Sequence, residues 1–294
     1  SLKTLLGGGS LSFIAPWQVP YGEFNIVVDP LSALFLVPIF GLSALAALYG
    51  AEYLKPWRGQ PRVGMSWFFF NVLVASMVIV VMARNCVLFL ASWEIMSLAS
   101  FFLVTFEDEH ENTRRAGWTY LVATHIGFAF LISLFILLGQ HAGSMTMTDF
   151  ADMPRLTPFW AGLIFLLAVL GFGTKAGFIP LHIWLPEAHP AAPSHVSALM
   201  SGVMIKTGIY GLLRILTFLG PPPAWWGWTL IIIGLVSGIM GLLAAITQHD
   251  LKRVLAYSSV ENIGIIALGI GLGLLGLSIK NPIVTVFGFS GAFL

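Results

Sequence analysis

The chain has 294 residues, of which 57% are hydrophobic and 9% charged, and its mean hydropathy is +0.90. An ordinary soluble domain carries about 25% charged residues, so this composition excludes a water-exposed globular protein and indicates lipid as the solvent. The net charge of +1, without a basic face or run, gives no electrostatic basis for nucleic-acid binding. The single cysteine, Cys86, cannot form an internal disulfide and is interpreted as a packing residue.

Apolar segments of about 20 residues recur along the chain and predict transmembrane helices, because a helix needs that length to cross the hydrocarbon core. Open strand edges are excluded there, since lipid cannot hydrogen-bond to the backbone. The predicted fold class is therefore all-α, a polytopic transmembrane helical bundle. Eight segments are long enough, and a ninth, 282–294, is cut by the end of the sequence. In chain order the eight are 30–49, 67–83, 86–106, 118–138, 159–184, 196–219, 226–246 and 254–277.

The two ends of the sequence look cut. The chain begins at Ser1 without a methionine, and its first residues lack the basic region and cleavage site of a signal peptide. Its last residues, Phe293 and Leu294, lie inside an apolar run. We expect a fragment of a longer protein.

Positive charges in the predicted loops set the expected orientation, because cytoplasmic loops carry an excess of Lys and Arg. Alternate loops hold seven such residues on one side and three on the other. The seven, placed in the cytoplasm, are Lys55, Arg58, Arg62, Arg114, Arg115, Lys252 and Arg253, and the three are Arg84, Arg155 and Lys280. The longest connection, 139–158, is too short for a soluble domain, so a separate catalytic head is excluded.

Three predicted spans each carry one ionisable residue at mid-membrane depth: Glu94, Lys175 and Lys206. A charge there costs about 2.5 to 3.5 kcal/mol on insertion scales. The residues either pair to fix helix packing or transfer protons, and two lysines for one acid favour the second interpretation. Burial favours a neutral lysine whereas a nearby carboxylate favours the ammonium, so such a group can take or release a proton as its partner moves.

Pro180 lies five residues after Lys175 and predicts a break in that helix, because proline removes a backbone donor. Broken helices at membrane depth line cavities, where transporters place their ion sites. Small residues beside both lysines, such as Gly171 and Gly202, leave room either for water or for close packing of another helix.

Other ionisable residues extend this polar set. His125, at mid-span, either joins the charge chain or bonds across helices, and Glu261 either extends the polar axis or reaches back to the interface. A haem is not expected, because a haem needs paired histidines at matching depth and only His125 is deep enough.

His182, His189 and His195 bracket the predicted cytoplasmic end of the broken helix, where they could pass protons or line an entry. A metal site is not expected there, because Pro190 and Pro193 disrupt helical ligand spacing. No cofactor is predicted, and the sequence offers no catalytic site of its own.

Three motifs resemble the antiporter-like membrane subunits of respiratory complex I and of Mrp cation/proton antiporters. They are GTKAGFIPLHIWLPEAH at 173–189, Ser92-Trp93-Glu94, and DLKRVLAYSS at 250–259. The run 192–211 is most similar to the subgroup found in hydrogenase-4 and formate hydrogenlyase assemblies. The resemblance spans nearly the whole chain.

This resemblance implies two inverted five-helix repeats, each with a helix broken at a lysine or its equivalent. Residues 1–66 would form an N-terminal helix and loops, 67–219 the first repeat, and 220–294 the truncated start of the second. Glu94 and Lys175 would be the ion pair of the first repeat, and Lys206 its link to the second. Some members carry His in place of Ser201 and others in place of Asn262, so the onward route is open.

The function implied is proton translocation in a redox-driven complex, by a subunit switching Glu94 and Lys175 between paired and separated states. The alternatives are a sodium/proton antiporter subunit of the Mrp type and a structural membrane anchor. Expected partners are other membrane subunits of a hydrogenase or complex I-like assembly, lipid and protons, in a bacterial or archaeal cytoplasmic (inner) membrane. The predicted proton pathway comprises Glu94, Lys175, Lys206, His125, His182, His195 and Glu261.

Overall fold

In a computed structural model, Thr4 and residues 9–293 are described, all but Pro16 and Gln18 with their side chains. Within this part of the chain, eight helices are long and apolar enough to cross a membrane. The helices are α1 (Pro30–Tyr53), α2 (Pro61–Met82), α3 (Cys86–Val104), α4 (Glu111–Ala142), α5 (Pro158–Ala176), α6 (Leu185–Ala191), α7 (Ser194–Leu216), α8 (Ala224–Ile246), α9 (Leu251–Ser278) and α10 (Pro282–Phe293). The predicted helical bundle is confirmed, with α10 as the short ninth segment.

Polar caps fix where several spans begin. The side chains of Asp29, Asn85, Thr157 and Asp250 accept hydrogen bonds from backbone N–H groups in the first turns of α1, α3, α5 and α9. Such caps satisfy donors that have no partner within the helix. α4 begins at Glu111, seven residues before the predicted start, because its charged first turns extend beyond the apolar segment.

Close contacts between small residues hold α8 against α9. A Cβ added to Gly234 would lie 2.7 Å from the carbonyl oxygen of Gly264. Lipid gives helices little hydrophobic reason to associate, so close backbone approach and van der Waals contact take over that role. Three tryptophans, Trp93, Trp184 and Trp226, fill the interior of the bundle.

Loops from alternate connections meet at one end of the bundle. Arg62 lies 3.3 Å from Glu109 of the next such loop, and Lys252 donates to the carbonyl oxygen of Ala192 at 2.8 Å. The first contact joins the α1–α2 and α3–α4 loops, and the second joins the start of α9 to the connection between α6 and α7. Arg84 lies in the loop between α2 and α3, at the other end of α2.

A β-hairpin precedes α1. Neither the all-α prediction nor the predicted helix and loops of residues 1–66 included it. β1 (Leu11–Val19) pairs antiparallel with β2 (Gly22–Val28), and Ile26 bridges to Ala83 at the end of α2. The hairpin lies outside the spans, where water can satisfy strand edges. The exclusion of strands therefore applies to the lipid core alone.

The predicted break in the fifth span is confirmed. α5 ends at Ala176, one residue after Lys175, and Gly177 adopts a φ of 90°, a conformation that glycine tolerates best. The chain then turns into the short α6. A second irregularity was not predicted: Met200–Met204 of α7 forms a π-helical segment.

Candidate functional site

Lys175 is a buried lysine in the last turn of α5, with 2% of its surface exposed. Its Nζ donates to Ser97 Oγ at 3.1 Å and to Tyr120 OH at 2.9 Å. Nζ also lies 5.9 Å from the ring centre of Trp93 and 5.3 Å from that of Tyr120. Hydroxyl oxygens and aromatic faces therefore surround Nζ in place of water, and they can solvate it when it carries a proton.

The hydroxyls around Lys175 form a connected network that sequence reasoning missed. Tyr120 OH is in hydrogen-bond contact with Ser100 Oγ, which lies one turn beyond Ser97 on α3. The signal was present: Ser97 follows Glu94 by three residues, so the two share one face of a helix. Tyr120 belongs to another helix, and only the fold brings it to Lys175.

Glu94 contacts His125 across the α3–α4 interface. Glu94 Oε1 lies 3.0 Å from His125 Nε2, with 22% of the Glu94 side chain and 48% of the His125 side chain exposed. Glu94 Oε2 is buried without a hydrogen-bond partner among the described residues. The described side chains of Glu94 and Lys175 form no ion pair with each other.

Lys206 lies apart from Lys175, on the far side of α7. Its Nζ donates to the carbonyl oxygen of Ser201 at 2.6 Å, within the π-helical segment, where the regular helical hydrogen bonds are interrupted. Lys206 lines a cavity of about 560 Å³ together with Phe35, Gly202 and Asn262. The adjacent Thr207 reaches Met96 Sδ of α3 at 3.7 Å.

His189 of α6 is linked to the Lys175 site through one intervening ring. Its Nδ1 lies 2.9 Å from Ser197 Oγ, and its ring stacks on Trp184 at 6.5 Å. Trp184 in turn contacts Tyr120, with ring centres 5.0 Å apart. Trp184 thus lies between the His189 ring, which it stacks on, and the Tyr120 ring, which it meets edge to face.

The remaining predicted pathway residues are not brought to Lys175. His182 is half-buried beside Tyr257, and Glu261 is half-buried on α9, where its neighbour Asn262 faces the Lys206 cavity instead. His195 is buried, and neither ring nitrogen has a hydrogen-bond partner in the described chain. The rings around it are those of Tyr53, Trp67 and Phe70.

Small residues near the lysines serve close packing. A Cβ on Gly171 would collide with Leu131 of α4, and one on Gly202 with Leu42 of α1. Cys86 is buried at the start of α3. Across the described residues, no three His, Cys, Asp or Glu side chains group closely enough to hold a metal ion.

A second buried charge cluster, which we call the arginine cluster, consists of Asp29, Arg84 and Arg214 and was not predicted. Arg214 Nη1 and Nη2 lie 2.7 and 2.9 Å from the two carboxylate oxygens of Asp29, and Arg84 Nη2 lies 3.0 Å from one of them. Burial acts to raise the pKa of Asp29, but hydrogen bonds from Arg214 and the Ser32 N–H, with both positive charges, hold that pKa well below its usual range.

Comparison with known proteins gives concordant matches. The family described as "NADH:quinone oxidoreductase/Mrp antiporter, TM" matches residues 83–293. Hydrogenase-4 component B of Escherichia coli (strain K12) is 41% identical over 95% of this chain and 41% of its own length. Formate hydrogenlyase subunit 3 of the same organism is 32% identical over 92% of this chain and 42% of its own length.

A solved structure of the Mrp complex from Dietzia sp. DQ12-45-1b superposes with a TM-score of 0.85 at 26% identity, covering 99% of this chain and 32% of the matched one. The chain thus spans about two fifths of the length of those two curated relatives. The family match covers the broken helix, Lys175, Lys206 and the Glu94–His125 contact. The chain is an integral membrane protein and belongs to the NADH:quinone oxidoreductase/Mrp antiporter transmembrane family.

Proposed function

We propose that this chain is the proton-translocating part of a membrane subunit in a redox-driven complex of the hydrogenase or complex I type. One observation carries the proposal: a buried lysine lies in the last turn of a broken helix, near a carboxylate with which it forms no ion pair. The relatives named for hydrogenase-4 and formate hydrogenlyase support the redox setting. Other membrane subunits of that complex are its partners, in the cytoplasmic membrane of a bacterium or archaeon.

The proposed step moves a proton on and off Lys175. Approach of Glu94 favours the ammonium, and its departure leaves the charge to be solvated by Ser97 and Tyr120 alone, which favours release. The break after Ala176 lets α5 end inside the bundle, so the lysine sits at a helix terminus with protein on all sides. The hydroxyls of Ser97 and Tyr120 are within reach to accept or pass the proton.

The onward route is proposed to run through Lys206 towards the second half of the protein. Lys206 of α7 lines the cavity that Asn262 of α9 also lines, whereas the next residue of α7, Thr207, contacts α3. The backbone of α7 therefore separates the side chain of Lys206 from Lys175. We assign 67–219 to the first repeat and 220–294 to the start of the second. We assign His182, His195 and Glu261 to the cytoplasmic side, where protons would enter, rather than to the surroundings of the lysines.

The test is proton translocation by the full-length protein in its assembled complex. Lys175→Met and Glu94→Gln should each reduce proton movement at least tenfold while the complex still assembles. Lys55→Met is the matched control, because Lys55 pairs with Glu52 on the surface and is 58% exposed. Unchanged translocation in both site variants would exclude the proposal. Loss of the complex itself in both variants would indicate a structural anchor.

The Mrp likeness supports a second candidate, a subunit that exchanges sodium for protons. The same carboxylate and lysines would then respond to a different coupled cation. Vesicles that contain the assembled complex, energised with and without sodium, distinguish the two functions. A strict sodium requirement would select the antiporter.

A further inference from the structure

Both ring nitrogens of His125 face oxygen atoms. Nδ1 lies 2.8 Å from the carbonyl oxygen of Leu121, and Nε2 lies 3.0 Å from Glu94 Oε1. A carbonyl oxygen only accepts, so Nδ1 carries a hydrogen. The second contact also needs one proton, on Nε2 or on the carboxyl group. The Glu94–His125 pair therefore holds one shared proton and is neutral as a whole.

His141, on the same helix, shows which part of this arrangement is unusual. Its Nδ1 lies 2.8 Å from the carbonyl oxygen of Leu137, the same bond one turn back along α4. Its ring packs against Trp160, and none of the described carboxylates contacts it. The backbone bond is thus common to both histidines, and only the carboxylate contact sets His125 apart.

Glu94 stands between two basic side chains on different helices. His125 of α4 contacts Glu94 Oε1 from the outer side of the bundle, whereas Lys175 of α5 is buried within the bundle. Glu94 Oε2 is buried and unpartnered in the described chain, and Ser97, one turn further on α3, already contacts the lysine. One carboxylate is therefore shared between two sites, and contact with one leaves the other without a counter-ion.

We propose that His125 competes with Lys175 for Glu94, so that the proton on His125 controls whether the lysine has a counter-ion. This rests on the proposed function. The charged or titratable groups that face this contact are Glu94 from α3, Lys175 from α5 and Tyr120 on α4, with His189 of α6 behind Trp184. The competition is local to these residues.

The proton balance of the step is simple. His125 Nε2 gives its proton to a water molecule that reaches the Glu94–His125 contact, and its lone pair then faces the carboxylate lone pairs. The two repel, Glu94 turns to Lys175, and the resulting ion pair holds a proton on the lysine. Return of a proton to His125 draws Glu94 back and frees Lys175 to release its own.

Two substitutions fix the competition in opposite states. His125→Leu removes the outer partner, and a structure of the full-length protein in its assembled complex should then show Glu94 within salt-bridge distance of Lys175. His125→Lys keeps a permanent outer charge and should leave Glu94 where it is. His141→Leu, the matched control, should not move Glu94. If Glu94 stays away from Lys175 in His125→Leu, the competition does not exist.

Translocation measured against pH separates this inference from the proposed function. His125→Leu and His125→Lys should each slow proton movement at least tenfold and abolish the pH step expected of the unmodified complex, whereas His141→Leu should keep both the rate and the step. Wild-type rate and pH profile in His125→Leu would overturn the inference even when Lys175→Met and Glu94→Gln are inactive. The proposed function would survive that result, because it depends on those two variants alone.

Discussion

The chain contains two buried groups of charges that differ in completeness. In the arginine cluster, Asp29 contacts both arginines, and further bonds run from Arg84 to Ser32 Oγ and from Arg214 to Tyr210 OH. At the Lys175 site, one oxygen of Glu94 is unpartnered among the described residues, and Lys175 Nζ donates only to two hydroxyl groups. A completed network fixes the ends of three helices. An incomplete one leaves a charge free to change partner.

Position along the membrane explains this difference. The arginine cluster sits at the start of α1 and the end of α7, outside the centre of the spans, where two positive charges and one negative charge are tolerable. Lys175 lies where a lone charge costs several kcal/mol. Such a cost persists only where the charge performs a task, so we expect the first group to govern stability and the second to govern transport.

The largest expected effect tests the stabilising half of this comparison. Asp29→Asn keeps a capping side chain but leaves two guanidinium groups without their carboxylate, which costs about 3 to 5 kcal/mol when a buried pair is broken. Asp250→Asn is the control, because Asp250 caps α9 in the same way and has no buried arginine beside it; little change is expected there. Unfolding in detergent measures both. Equal losses of stability in the two variants would show that Asp29 stabilises the protein only as a helix cap.

Acidification should reproduce part of that loss. The pKa of Asp29 is held well below 3.8, its ordinary value. The charged carboxylate therefore contributes stability that is complete above about pH 4 and is lost as the pH falls towards the lowered pKa of the folded protein. Asp29→Asn should lack this acid-dependent component. An identical acid response in both proteins would contradict the assignment.

A pair of tyrosines gives an intermediate effect and separates the two groups. Tyr120→Phe removes one hydrogen bond to the Lys175 ammonium, and a hydrogen bond to a charged group contributes about 1.5 to 3 kcal/mol. Proton translocation should fall about tenfold. Tyr210→Phe is the counterpart, because its hydroxyl accepts from Arg214 Nε at 3.2 Å. Tyr210→Phe should lower the free energy of unfolding and leave translocation unchanged. If Tyr210→Phe instead slows translocation and Tyr120→Phe only lowers stability, the contrast between the two groups of charges is wrong.

The transmembrane spans, the break in α5 and the charged residues within the spans could be predicted from the sequence, because each has a local sequence pattern. Glu94 and Lys175 are visible as charges within apolar runs, and Pro180 as a helix breaker. Arg214 lies in an equally apolar run but was passed over, and its partner Asp29 looks like an ordinary helix cap. The contact between Glu94 and His125 depends on how two helices rotate against each other, and spacing within one helix does not determine that rotation.

The smallest expected effect concerns the backbone that places Lys175. Ile179 N–H, just after the break, donates to Ser237 Oγ of α8 at 3.0 Å, and Ser237 is buried. Ser237→Ala leaves that N–H unpaired at a cost of about 1 kcal/mol, so hydrogen exchange in 177–184 should quicken about fivefold. Ser43→Ala is the control, because Ser43 Oγ is buried without a partner in the described chain. If the two variants exchange alike, α8 does not hold the break, and the position of Lys175 depends on α5 and its hydroxyl partners alone.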